Sequence, residues 1–286
     1  MPELPEVEVV KQSLDRKIKF QKIIKVLVTN RNLRFKVPKN LEFYLKSKII
    51  NKISRKSKYL IFYLNNNVFF LIHLGMSGTI HLVSKKNHIN SNASFYGPRS
   101  LPSKHNHIIF FLTKYKFIYN DPRRFGFIRI FKNKNDLNFF FRNIGPEPLN
   151  NKFKIGYIRN YLRKKKKCIK NFLLDQKFVS GIGNIYANEI LFYSKINPTK
   201  QAKKLNKDDI KKIKYYSKFA LNVAIKKGGS SIRDFKNIKG ISGSYQKEFK
   251  VYQRENLNCR ARSCNGKIKK KIISKRSTFF CNICQK

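Results

Sequence analysis

The sequence predicts an α+β protein with several domains: an N-terminal helix and an antiparallel β-sandwich, then a helical domain that ends in a cysteine-rich hairpin. The chain of 286 residues is long enough for two domains with their own hydrophobic cores. Short β-rich runs fill residues 22–131 without helices between them, and helical periodicity returns after residue 150. Four of the five cysteines lie within residues 259–284.

The first predicted element is a helix over residues 3–18. Pro5 suits its first turn, and the glutamates around it suit the positive end of the helix dipole. The apolar residues that share one face of this helix are Val7, Val10, Leu14 and Ile18.

Six β-rich runs follow the helix and are predicted as strands. Residues 65–67 (NNN) and 113–114 (TK) are typical of the turns of two hairpins. Because no helix separates the runs, the strands are expected to pair in an antiparallel sandwich. The predicted strands are residues 23–28, 59–64, 68–73, 107–112, 115–119 and 127–131.

Residues 145–148 (GPEP) interrupt the strand pattern and mark a boundary between domains. Beyond them, Asn206 and Asp209 form a capping pattern for a long helix that Gly228 and Gly229 end. The predicted divisions are an N-terminal domain over residues 1–135, a linker over 136–150, a helical domain over 151–245 and a hairpin over 246–286.

The charge balance indicates a polyanionic partner. Lys and Arg number 64 against 15 Asp and Glu, a net charge of +49, which favours nucleic acid ahead of a membrane surface. Part of this excess is compositional bias, because Lys, Asn, Ile and Phe are used heavily throughout. No signal peptide is visible, and the longest apolar runs are too short to span a bilayer. We therefore expect a cytoplasmic protein without a membrane partner.

The cysteines form the pattern Cys259-x4-Cys264…Cys281-x2-Cys284, with sixteen residues between the inner pair. This spacing is typical of a zinc ribbon, and four thiolates make a closed structural site for one Zn²⁺. The alternative is four unconnected buried cysteines. An odd total of five cysteines, four of them clustered, in a basic protein favours the metal over disulfides.

The first residues, MPELPEVE, carry a second candidate site. Removal of Met1 before a small residue would leave the secondary amine of Pro2 as the N-terminus. An α-amino group titrates near 8, so about a tenth of it is neutral at pH 7 and able to form an imine. Glu3 beside it can transfer protons. The alternative is that these residues only begin a helix, and both roles are compatible.

The same residues resemble the start of the bacterial formamidopyrimidine-DNA glycosylases, base-excision enzymes for oxidised purines. Endonuclease VIII relatives usually begin PEGPE, so Leu4 favours the first group. Further segments resemble the family in the expected order from Pro2 to Lys286, although its first cysteine pair is normally C-x2-C. These segments are residues 72–78 (IHLGMSG), 121–126 (DPRRFG), 180–187 (SGIGNIYA) and 276–281 (RSTFFC).

The resemblance implies the site residues. Catalysis is assigned to Pro2 as nucleophile, Glu3 as proton carrier, Lys58 at the lesion phosphate and Arg276 on the flanking phosphates. An enzyme that acts on a base must extrude it from the duplex, and Met76, Arg123 and Phe125 would fill the gap. Residues 180–187 would form a helix–two-turn–helix element. The remaining DNA contacts are His73, His105, Lys165, Asn184 and Tyr245, with Lys165 one choice among four consecutive lysines.

Residues 228–235 and 240–245 resemble the loop that closes over the extruded base. The resemblance therefore implies a bifunctional DNA glycosylase and AP lyase for formamidopyrimidine and 8-oxoguanine, acting through an imine on Pro2 and then β,δ-elimination. Two alternatives stay open: an endonuclease VIII-like enzyme for oxidised pyrimidines, and a non-catalytic zinc-ribbon nucleic-acid-binding protein. We expect damaged double-stranded DNA as partner, a monomer, and association with the bacterial nucleoid.

Overall fold

The computed structural model describes residues 2–86, 88–94, 100–230 and 244–286. The chain forms two compact units. The first comprises Met1–Arg142 with Ile225–Gln246, and the second comprises Asn143–Ala224 with Lys247–Lys286. Residues 225–246 are thus grouped with the N-terminal unit. The domain boundaries predicted from the sequence place residues 225–245 in the helical domain instead.

The first unit contains three helices and nine strands within its described residues. The helices are α1 (Leu4–Ile18), α2 (Leu41–Leu45) and α3 (Lys134–Phe140). The strands are β1 (Ile23–Val28), β2 (Ile50–Lys56), β3 (Tyr59–Leu64), β4 (Phe69–His73), β5 (Thr79–Ser84), β6 (Asn90–Asn92), β7 (Asn106–Leu112), β8 (Tyr115–Asn120) and β9 (Phe127–Phe131).

These strands form two antiparallel sheets, in the orders β1-β7-β8-β5-β6 and β2-β3-β4-β9. One cluster of buried apolar side chains draws on both sheets and on α1. Phe62 and Phe70 stack in this cluster with ring centroids 4.2 Å apart, and Phe110 lies 5.5 Å from Phe70. The predicted antiparallel sandwich with an N-terminal helix is confirmed.

Three strands were missed by the sequence analysis: β2, β5 and β6. In β2, Ile50 and Ile53 are buried but Asn51 and Lys52 are exposed, so the apolar signal is sparse. The strand forms because it pairs with β3, where Ile53 lies opposite Phe62. Pairing between segments distant in the chain decides such a strand more than its own composition.

Helix α1 buries the predicted face, since Val7, Val10, Leu14 and Ile18 are all fully buried. An ion pair on the helix joins it to β2: Glu8 Oε2 accepts from Arg55 Nε at 2.8 Å. The N-terminal residues are thus attached to the sheet as well as to the helix.

The described residues beyond 142 contain four α-helices. These helices are α4 (Ile155–Leu162), α5 (Ile169–Leu174), α6 (Asn184–Tyr193) and α7 (Lys207–Lys226), with short 3-10 helices at Ala202–Lys204 and Tyr245–Glu248. The predicted cap of α7 is present, because Asn206 Oδ1 accepts from Asp209 N at 2.8 Å and Asp209 Oδ2 accepts from Asn206 N at 3.2 Å.

The chain ends in a hairpin of β10 (Ile268–Ile273) and β11 (Arg276–Cys281). Its two turn residues, Ser274 and Lys275, have φ values of 49° and 60°, as a type I′ turn requires. Arg276 therefore lies directly after the tip of the hairpin. Across the described ranges, no helix is both long and apolar enough to cross a lipid bilayer.

Candidate active site and nucleic-acid interface

Pro2 and Glu3 are buried at the start of α1, and Glu3 is only 3% exposed. Glu3 is the N-cap of the helix and forms a reciprocal capping box with Glu6, whose Oε2 accepts from Glu3 N at 2.9 Å. The residues that the sequence offered as a helix start and as a catalytic pair thus serve as the helix start in the structure. Because they are buried and capped, their backbone is held in one position.

Lys58 lies in the turn between β2 and β3 and is only 5% exposed. The turn is left-handed at Ser57, where φ is 56°. Arg55, paired with Glu8, also donates from Nη1 to the Ser57 carbonyl at 2.9 Å. The same arginine thus connects α1 to the turn that carries Lys58.

His73 ends β4, opposite Tyr59 in β3. Burial, followed by the charges of Lys58 and Arg34, lowers the pKa of His73 to about 4, so its imidazole is neutral at pH 7. Its Nδ1 accepts from Gly75 N at 3.1 Å, which leaves the proton on Nε2. His73 is therefore a neutral ring with one hydrogen-bond donor available from Nε2.

The three predicted gap-filling residues lie on two turns of the first unit. Met76 and Phe125 are each 42% exposed, and Arg123 is exposed too. The Arg123 guanidinium lies 4.6 Å from the centre of the Phe125 ring. Beside them is a recess of about 490 Å³, lined by Asn32, Leu33, Arg34, Arg123, Arg124 and Phe125. Its three arginines make this recess favourable for a phosphate group.

Two further predicted contacts differ in exposure. His105 is exposed, in the left-handed region at φ 67°, directly before β7. Tyr245 begins a 3-10 helix and is 1% exposed, with its N–H donating to the Gly229 carbonyl at 3.3 Å. Most of the predicted closing loop, residues 231–243, lies outside the described residues.

In the second unit, Asn184 begins α6 and its amide supports the hairpin. Asn184 Nδ2 donates to the carbonyl of Ser277 at 2.9 Å, next to Arg276. Ser180 Oγ and Asn184 Oδ1 are two of the buried polar atoms that have no hydrogen-bond partner in the part of the chain that the structure describes. Lys165 is exposed, with its ammonium 5.6 Å from the centre of the Tyr161 ring.

Several polar residues that the sequence analysis missed hold the hairpin in place. Lys170, fully buried, donates to Thr278 Oγ1 at 2.6 Å and to the Ser277 carbonyl at 3.1 Å. Asn188 Oδ1 accepts from Phe279 N at 2.8 Å. The signal available in the sequence was a polar residue within an apolar helical run.

Glu189 is a fully buried carboxylate that the sequence analysis also missed. It accepts from the backbone N–H groups of residues 250, 251 and 252 at 2.9 to 3.0 Å. Burial raises its pKa, and these three hydrogen bonds oppose that rise. Glu189 therefore fixes the chain that leads into the cysteine segment.

The four clustered cysteines bring their sulfur atoms to within 4.8 Å of one another. The Cys259–Cys284 and Cys264–Cys281 pairs are each separated by 3.7 Å between Sγ atoms. A tetrahedron with Zn–S bonds of about 2.3 Å has sulfur–sulfur edges of about 3.8 Å, so the arrangement fits a structural zinc site. The longer gap between the first two cysteines is taken up by a turn in which Cys264 N donates to the Ala261 carbonyl at 3.3 Å.

Comparisons with known proteins match this chain to one family of DNA glycosylases over its whole length. The formamidopyrimidine-DNA glycosylase N-terminal domain matches residues 1–128, and the H2TH domain of that glycosylase matches residues 144–236. The formamidopyrimidine-DNA glycosylases of Wolbachia pipientis subsp. Culex pipiens and of Rickettsia bellii (strain OSU 85-389) are 40% and 39% identical, over 100% of this chain and of each relative.

Solved structures show the same likeness. A complex of a Lactococcus lactis Fpg mutant with Fapy-dG containing DNA is 35% identical, covers 100% of both chains and has a TM-score of 0.87. The Lactococcus lactis Fpg complex with DNA containing an abasic site is 35% identical, covers 99% of both chains and has a TM-score of 0.86. The chain therefore belongs to the formamidopyrimidine-DNA glycosylase family.

Proposed function

We propose that the protein is a bifunctional DNA glycosylase and AP lyase that removes oxidised purines, chiefly formamidopyrimidines and 8-oxoguanine, from duplex DNA. The observation that carries the proposal is the burial of Pro2 and Glu3 in the capped start of α1. Family membership supports the reaction class, and the Lactococcus lactis complex with Fapy-dG containing DNA supports the substrate class.

The chemistry begins when Met1 is removed and Pro2 gains a free amine. Its nitrogen attacks C1′ of the extruded nucleotide, the C1′–base bond breaks, and the base leaves with a proton. Glu3 transfers protons at the sugar, whose ring opens to an imine on Pro2 in the form of an iminium ion, because the proline nitrogen is a secondary amine. This cation acidifies the C2′ proton, so β-elimination breaks the 3′ C–O bond and δ-elimination then breaks the 5′ one.

The DNA contacts are proposed in both units. Lys58 and Arg276 neutralise phosphates at the lesion, and His73 donates from Nε2. Met76, Arg123 and Phe125 occupy the gap that the extruded base leaves. The remaining contacts are His105, Lys165, Asn184 and Tyr245.

The four cysteines Cys259, Cys264, Cys281 and Cys284 would hold one structural zinc ion. Bound zinc would fix the fold of the terminal segment, and the cysteines together with Glu189 would hold the hairpin that presents Arg276. We propose further that the protein acts as a monomer in the bacterial cytoplasm, at the nucleoid.

The decisive experiment is borohydride trapping on a duplex that contains 8-oxoguanine. Wild-type protein without Met1 should form a covalent adduct that peptide mapping assigns to residue 2. Glu3→Gln should bind the same duplex but lose base excision, because an amide cannot exchange the proton, and should still cleave a pre-formed abasic site. An adduct on a lysine, or no adduct from active protein, would contradict the mechanism.

A further inference from the structure

The two turns that carry the gap-filling residues contact each other through their backbones. Met76 lies in the turn of residues 74–78 after β4, and Arg123 and Phe125 lie in the turn of residues 121–126 after β8. A Cβ added to Gly75 would collide with the backbone of Phe125 and Gly126. No side chain fits between the turns at this point, so a displacement of one turn must also displace the other turn.

A buried carboxylate connects the two turns and the strand beside them. Asp121 is fully buried, and its Oδ2 accepts from Gly126 N at 2.8 Å and from the Tyr119 hydroxyl at 3.1 Å. Its Oδ1 accepts from the hydroxyl of Ser77 at 2.6 Å. Three donors from three places in the chain thus converge on one side chain, which makes the arrangement specific.

The hydroxyl of Ser77 is the direct link between the turns. It donates to Asp121 and accepts from the backbone N–H of Arg123 at 3.2 Å. Because a backbone N–H can only donate, Ser77 Oγ is the acceptor towards Arg123 and directs its own hydrogen to Asp121. Ser77 follows Met76 directly, and Arg123 is itself a gap-filling residue, so this one oxygen joins both parts of the gap-filling set.

The second turn is also conformationally demanding. Arg124 has φ 55°, in the left-handed region that residues other than glycine rarely adopt. Its N–H donates to the Asp121 carbonyl at 3.1 Å, and the same carbonyl accepts from His107 Nε2 at 2.8 Å. The backbone and the side chain of Asp121 together therefore hold a turn that would otherwise relax.

We propose that Asp121 and Ser77 are positioning residues that lock the two turns together, so that Met76, Arg123 and Phe125 enter the duplex as one unit. The inference rests on the proposed function, which gives these three side chains their place in the gap. Extrusion of a base loses stacking, and side chains already held in place lose less conformational entropy when they replace it. Two independent turns would have to be ordered during the extrusion itself.

The test uses Ser77→Ala, which removes the link and leaves Asp121 and the glycines unchanged. Ser77→Thr keeps a hydroxyl and should restore the wild-type rate. The matched control is Ser91→Ala, since Ser91 is also partly buried in this unit and its hydroxyl donates to the Leu82 carbonyl at 3.2 Å. Thermal unfolding of all three variants shows whether any effect is a general loss of stability.

Base extrusion is followed with 2-aminopurine next to 8-oxoguanine, in stopped-flow fluorescence under single-turnover conditions. Ser77→Ala should slow the fluorescence change and the excision by roughly tenfold, the effect expected for a lost hydrogen bond to a charged group. Cleavage of a pre-formed abasic site should remain at the wild-type rate, because no base has to be extruded. A Ser77→Ala variant that extrudes the base at the wild-type rate would overturn the proposal.

A double-mutant cycle tests whether the residues act as a unit. Met76→Ala and Phe125→Ala should be non-additive in the wild-type background and additive when combined with Ser77→Ala. Coupling that survives Ser77→Ala would refute the positioning role. If wild-type protein excises no oxidised purine, the proposed function fails; if it does and Met76→Ala is slow while Ser77→Ala is normal, only the positioning role fails.

Discussion

One carboxylate oxygen of Glu6 holds Ser230, 224 residues further along the chain. Glu6 Oε1 accepts from Ser230 N at 2.7 Å and from its hydroxyl at 2.9 Å, while Oε2 accepts from Glu3 N at 2.9 Å. All three groups are buried. The start of α1 and Ser230 therefore both donate hydrogen bonds to the carboxylate of Glu6.

This arrangement predicts that Glu6→Gln destabilises the first unit and slows excision. The amide keeps only one acceptor, so its NH2 group would face either the Glu3 N–H or the Ser230 donors. We expect a loss of about 1–3 kcal/mol in the free energy of unfolding, measured by urea denaturation. Ser230→Ala removes only one of the three hydrogen bonds and should have a smaller effect; equal effects would show that the bond to Glu3 is unimportant.

The salt dependence of DNA binding should identify which of the many cations meet phosphates. Arg276→Gln should weaken binding to damaged duplex and reduce the slope of log K against log salt by about one. The control is Lys212→Gln, an exposed lysine in α7 outside the proposed contacts. If both variants change the slope equally, diffuse charge rather than the hairpin governs binding.

Metal analysis tests the cysteine cluster. Wild-type protein should contain one zinc ion per chain, and Cys281→Ser should lose it together with much of the affinity for DNA. Cys168→Ser is the matched control, because Cys168 lies outside the cluster and should leave the zinc content unchanged. Zinc-free wild-type protein that cleaves lesions normally would contradict the zinc ribbon.

Acid should destabilise the first unit through His81. Burial lowers its pKa to about 4, against an ordinary value of 6.5 in the unfolded chain. As the pH falls, the unfolded state therefore binds the proton first. The contribution of neutral His81 to the free energy of unfolding is complete above pH 6.5 and is lost as the pH falls towards 4. The full loss is roughly 3 kcal/mol for this residue.

His81→Gln removes this titration and should flatten the decline, measured by urea denaturation between pH 7 and 4. The matched control is the same substitution at an exposed histidine, His88→Gln. His73, with its pKa also near 4, should account for part of the remaining decline. An unchanged profile in His81→Gln would rule out His81 as a source of acid sensitivity.

The sequence by itself determined the elements whose signal is local. Helix α1 and all six predicted strands lie within a residue of their observed bounds, because a periodic apolar pattern over a few turns or pleats specifies the element and its buried face. The cysteine spacing likewise predicted the cluster, which depends on residues close together in the chain. The family was predicted from the order of short motifs along the whole chain, each of which can be read locally.

Only the tertiary structure decided which polar residues are buried and what they bind. The residues next to Asp121, Lys170 and Glu189 in the sequence do not indicate that these side chains are buried. Each of the three is nevertheless fully buried and hydrogen-bonded to groups from other segments of the chain. Strand β2 formed for the same reason, through pairing with β3. A buried polar group is stable only where distant partners supply its hydrogen bonds, and those partners come together only when the chain has folded.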